Sequence, residues 1–124
     1  MNLNHVTLPC DDLEAAVSFY RRLGFRQIVS DPPEYARFEC ASGATFSLHA
    51  TPPTVRDSGV VVYFEVEQLD SIVHSLKAKG VAFESGPVDQ PWLWHEAYLR
   101  DPAGNLLCLF HAGSNRHHPP WRLE

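Results

Sequence analysis

An internal repeat limits what this chain can fold into more than any other feature. A shift of 56 residues places Leu13 on Leu69, Glu14 on Asp70, Val17 on Val73 and Gly24 on Gly80. A repeat of this period encodes one supersecondary unit that cannot bury its apolar face alone, so the two copies are expected to build one domain. In the first copy, Leu3 to Pro9 alternates Val6 and Leu8 with His5 and Thr7, the period-2 pattern of a strand with one apolar face. Asp11 or Asp12 can cap a helix carrying Leu13, Ala16, Val17, Tyr20 and Leu23, which Gly24 ends. Phe25 to Val29 then reads as a strand, and Tyr35 to Cys40 with Thr45 to His49 as a hairpin.

The second copy follows the helix- and strand-breaking linker Thr51-Pro52-Pro53-Thr54. Val60 to Val66 predicts a strand, and Leu69, Ile72, Val73 and Leu76 mark a helix ended at Lys77 to Gly80. Val81 to Glu84 reads as the next strand, and His95 to Arg100 with Leu106 to Phe110 as a hairpin turning at Asp101 to Asn105. The expectation is an α+β protein of two βαβββ modules, residues 3–50 and 59–111, in one domain over 1–112 followed by a tail over 113–124. At 124 residues it holds an ordinary core without disulfides or structural metal.

Charge and cysteine content exclude several function classes. Ten Lys and Arg against 15 Asp and Glu leave a net charge of −5, with no basic cluster to neutralise phosphates, so nucleic acid is not an expected partner. The apolar runs, such as Val60 to Phe64, are far too short to cross a bilayer, so no membrane is expected either. Met1 to His5 lacks the basic start and apolar centre of a signal peptide. Cys10, Cys40 and Cys108 are an odd number without metal-finger spacing. Together these predict a cytoplasmic protein in a reducing compartment.

Three stretches carry a family resemblance: Asn4-His5-Val6-Thr7, the helix DLEAAVSFYRRLGF (Asp12 to Phe25) and the hairpin AYLRDPAGNLLCLF (Ala97 to Phe110). With the doubled βαβββ unit, the chain resembles the vicinal oxygen chelate superfamily of glyoxalases, extradiol dioxygenases and bleomycin resistance proteins. The resemblance covers residues 3–112 and implies a curved mixed sheet around a pocket with helices outside, a divalent metal on the concave face and a homodimer. It does not choose a reaction.

In metal-binding relatives of this kind, the first and last strands of each module supply the ligands, and this chain keeps only part of that set. His5 stands at the first position, but its repeat mate is Val61, and the two last-strand positions hold Ser47 and Cys108. Strand alternation supplies substitutes: His49 shares a face with Ser47, and if Arg100 pairs with Leu106, Glu96 faces Phe110 and Tyr98 faces Cys108. His5, His49 and Glu96 are therefore a candidate set for a divalent iron, manganese, zinc or nickel ion, with Glu96 or His5 as proton-transfer group. The competing reading leaves His5 as a hydrogen-bonding strand residue and pairs Glu96 with Arg100 or Arg37.

Pocket-lining candidates are Thr7, Tyr63, Trp92, Trp94, Tyr98 and Cys108. Trp92 and Trp94, in a Pro-bounded loop, offer flat surfaces and indole N–H groups to a ligand. His74, His111, His117 and His118 read as surface residues, and Trp121 as a group that docks on the pocket or a dimer partner. Two functions follow from the resemblance: a metal-dependent glyoxalase- or dioxygenase-like enzyme acting on a small organic molecule, or a non-catalytic protein that sequesters a drug or metabolite.

Overall fold

The computed structural model describes residues 1–52 and 58–123. Of the expected linker, Pro53 and Thr54 lie outside the described residues. The chain divides into two compact units: Met1–Ser58 with Asp101–Asn105, and Gly59–Arg100 with Leu106–Glu124. Each carries one four-stranded mixed sheet and one helix, as the doubled pattern predicts.

The first unit runs β1 (His5–Cys10), α1 (Leu13–Arg22), β2 (Arg26–Asp31), β3 (Tyr35–Glu39) and β4 (Thr45–Ala50). Its sheet order is β1-β4-β3-β2, with β1 parallel to β4 and the other pairs antiparallel. Of the two capping candidates, Asp12 caps α1, accepting the Ala15 N–H at 3.0 Å. Gly24, at φ +101°, takes the left-handed position that stops the helix. Leu13, Ala16 and Tyr20 of α1 are buried, and Tyr20 packs against Phe25, Phe38 and Phe46. The stacked Phe38 and Phe46 rings lie 5.2 Å apart.

The turn Asp101–Asn105 belongs to this unit through a buried polar network. Tyr20 donates its O–H to Asp101 Oδ2 at 2.6 Å. Asp101 also accepts the Ala103 and Asn105 N–H groups and Asn105 Nδ2, while Asn105 Nδ2 donates to the Pro9 carbonyl at 2.9 Å. The RDPAGN stretch therefore satisfies a buried carboxylate and has a structural role.

The second unit runs β5 (Val61–Glu65), α2 (Leu69–Ala78), β6 (Ser85–Asp89), β7 (His95–Arg100) and β8 (Leu106–His111). Its sheet order is β5-β8-β7-β6, with β5 parallel to β8. Leu69, Val73 and Leu76 of α2 are buried, and the helix packs on β6, β7 and β8. The β7–β8 register pairs Arg100 with Leu106, Tyr98 with Cys108 and Glu96 with Phe110, as alternation predicts.

The strand expected at Val81 to Glu84 is corrected: that segment is irregular, with Val81 buried, and the strand lies further on at Ser85–Asp89. Gly86 is what lets this strand approach β7. A Cβ there would stand 2.3 Å from the Glu96 carbonyl oxygen. Beyond β8, Glu65 accepts the N–H groups of Ala112 and Gly113 and pairs with Arg116, fixing a short 3₁₀ turn at Gly113–Arg116. Trp121 is 57% exposed. His111 is half-buried against the Val66 carbonyl, whereas His74, His117 and His118 are exposed. No helix among the described residues is long and apolar enough to cross a membrane.

Candidate functional site

In the first unit, the sheet face opposite the Phe38 and Phe46 side is polar. His5, Thr7, Tyr35, Arg37, Thr45 and Ser47 come together there because i and i+2 residues of each strand share a face. His5 Nδ1 is 2.6 Å from Thr45 Oγ1, and its Nε2 is 3.2 Å from the buried Ser47 Oγ. Ser47 Oγ also lies 2.9 Å from Thr7 Oγ1. Arg37 Nε donates to the Tyr35 hydroxyl at 2.9 Å. Hydrogen bonding with Ser47, and then Arg37, holds the Tyr35 phenol below its ordinary range. Tyr35 and Arg37 escape a search for ligand-type residues; only their place opposite His49 and Ser47 on β4 brings them in.

In the second unit the corresponding face is aromatic around one carboxylate. Glu96, on β7, is only 2% exposed. Its Oε1 accepts the Tyr98 O–H at 3.2 Å and its Oε2 accepts the Trp92 indole N–H at 3.1 Å. Trp94 stacks on Phe110 with centroids 4.6 Å apart, and Tyr63 meets both edge-on at 5.7 Å and 5.5 Å. The Tyr63 and Tyr98 hydroxyls are 3.4 Å apart. Tyr63 and Trp92 remain 42% and 46% exposed. Two large rings thus stand partly exposed beside a buried carboxylate.

The titratable groups here follow from that environment. Burial, then hydrogen bonding with Tyr63 and the charges of Cys108 and Glu96, pushes the Tyr98 phenol far up, so it stays a donor. Burial, and second the Glu96 charge, pushes the Cys108 thiol up to about 12. A thiol so placed is a weak nucleophile. Neither expected competitor of the ligand reading holds Glu96: Arg100 pairs with Glu84 at 2.9 Å, and Arg37 donates to Tyr35.

The expected metal set is not assembled. His5 lies opposite Thr45, whereas His49 lies opposite Pro9, four residues further along the same strand pair. At ~3.3 Å per residue that is roughly 13 Å. Both ring nitrogens of His5 already have partners. Among the described residues, no group of three His, Cys, Asp or Glu side chains is placed to hold one ion. The donor set does not fit a metal as it stands.

No curated protein matches the chain. Solved structures do. A glyoxalase/bleomycin resistance protein/dioxygenase from Nocardioides is 26% identical over 100% of this chain and 90% of that one, with a TM-score of 0.76. Lactoylglutathione lyase from Agrobacterium tumefaciens is 21% identical, covering 89% of this chain and 92% of that one, TM-score 0.73. A bleomycin-binding protein complexed with bleomycin is 24% identical, covering 90% and 98%, TM-score 0.73. The last two likenesses are of fold alone. The family model for the Glyoxalase/Bleomycin resistance protein/Dioxygenase superfamily matches residues 2–109, and a match over that much of the sequence places this chain in that superfamily.

Proposed function

We propose that this chain binds a small planar organic molecule on the aromatic face of its second unit, and that binding rather than metal-assisted turnover is its primary property. The carrying observation is the Trp94–Phe110 stack with Tyr63 against it, closed at one end by the buried Glu96 carboxylate and the Tyr98 hydroxyl. A flat ligand gains apolar contact on the rings, and the polar end sets its orientation. A bleomycin-binding protein shares this fold, which makes bleomycin one reasonable probe.

Isothermal titration of the purified protein with bleomycin and a panel of bicyclic aromatic molecules tests this. Saturable binding that Trp94→Ala weakens at least tenfold is the expected result; no binding across the panel sinks it. The metal-dependent reading, with His5, His49 and Glu96 around iron, manganese, zinc or nickel, meets its own test in elemental analysis. A stoichiometric divalent metal that His49→Ala loses would reverse the order of the two readings. Within the same proposal the protein is a cytoplasmic homodimer, with Trp121 as an exposed ring for the partner copy to cover. Light scattering at micromolar concentration gives a dimer mass, and a monomer mass removes that part.

A further inference from the structure

Glu96 is a buried carboxylate whose neighbours do not neutralise it. A carboxylate offers about four acceptor positions. Here two are filled, by the neutral donors Trp92 Nε1 and Tyr98 O–H, and among the described residues no Lys, Arg or His pairs with it. A charge out of water costs free energy unless an opposite charge meets it.

The rings beside it share that lack. Aromatic faces attract cations through their quadrupole. Among the described residues, the protein's own cations lie over Tyr35 and Phe83, not over Tyr63, Trp94 or Phe110. The net charge of −5 adds long-range attraction for a cation.

Trp92 fills the position such a ligand would take. Its indole N–H is delivered to Glu96 by a turn closed by Gln90 N–H to the Trp94 carbonyl at 2.8 Å and Leu93 N–H to the Gln90 carbonyl at 2.9 Å. Leu93 sits at φ +69°, a left-handed conformation a leucine rarely adopts, so the turn is strained where it sets Trp92 down. Trp92 is 46% exposed, so nearly half of it already faces solvent beside the carboxylate.

We infer that the ligand is a flat organic cation bearing a protonated nitrogen, which pairs with Glu96, lies against Trp94 and displaces the indole N–H of Trp92. This rests on the small-molecule reading above and names the ligand's chemical class. In the free protein Trp92 is a built-in competitor, and ligand binding exchanges one neutral donor for one charged donor.

The test uses three bicyclic probes of matched size at neutral pH: protonated 4-aminoquinoline, neutral naphthylamine and anionic naphthoate. The cation is expected to bind roughly tenfold or more tighter than the neutral probe. Glu96→Gln should abolish that preference, and Trp92→Phe should tighten the cation by removing the competing donor. In wild-type protein, the Trp92 indole N–H resonance should move on saturation with the cation, a readout that needs no variant to fold. Equal binding of all three probes, a preference that survives Glu96→Gln, or an unmoved Trp92 resonance overturns the inference and leaves the aromatic surface standing. Failure of every probe to bind overturns both.

Discussion

Replacing Tyr20 by Phe removes one oxygen from the interior and leaves the ring, so the contacts with Phe25, Phe38 and Phe46 are kept and no cavity of consequence opens. What is lost is the 2.6 Å hydrogen bond to Asp101, a bond to a buried carboxylate worth about 1.5–3 kcal/mol. Asp101 keeps three other donors, from Ala103 and Asn105, so it is not orphaned and the lower part of that range applies, about 1.5–2 kcal/mol. For a chain of this size that lowers the melting temperature by roughly 6–8 °C. Burial, and second the Asp101 charge, also pushes the Tyr20 phenol far above its ordinary 10.0. The folded state then holds a proton that the unfolded chain releases above about pH 10, so this contribution is present below that pH and lost as pH rises. Calorimetry of wild type, Tyr20→Phe, Asp101→Asn and the double variant checks both parts. The expected coupling is at least about 1 kcal/mol, with a shallower alkaline loss in Tyr20→Phe. A melting shift no larger than that of Tyr63→Phe, whose ring is half exposed, together with additive single effects, would refute the account of the network.

Gly86→Ala should cost about 3 kcal/mol or more by urea titration, because φ is +87° and the new methyl would stand 2.3 Å from the Glu96 carbonyl oxygen; wild-type stability would show that β6 can move away. At Glu65, burial raises the carboxyl, but the Ala112 and Gly113 N–H groups and Arg116 outweigh it and hold the group below its ordinary 4.5. Its stabilisation is therefore full above that pH and lost as pH falls further. Glu65→Gln should flatten the acid limb of a melting-temperature profile, and an unchanged limb counts against the latch. Native Cys10 and Cys108, both buried, should resist a thiol reagent at about pH 8 and react after denaturation, with Cys40 the faster of the three; rapid labelling of Cys108 in native protein would contradict its burial on β8.

The elements legible in the sequence were those with a local cause. Period-2 and period-3.6 patterns, the Asp12 cap and the Gly24 stop specify strand, helix and their order within about two residues. The tight turn at Asp101 to Asn105 specifies the β7–β8 register, and with it the shared face of Glu96, Tyr98, Cys108 and Phe110. β6 lies beyond Val81 to Glu84 because the close approach of β7, which makes glycine a requirement at 86, positions it, and no local pattern shows that approach. The partnership of Tyr20 with Asp101 joins groups 81 residues apart, and no local pattern announces it. The histidines show the division most sharply. Alternation correctly names the face of each strand, but not how far along it a residue stands. β1 meets β4 as a parallel neighbour after one helix and two strands, so their register is decided by packing of the whole unit. That register sets His5 and His49 four residues apart, and the strained turn at Leu93 lays Trp92 on Glu96. Local backbone preference thus determined which faces exist, and long-range packing decided which side chains meet on them.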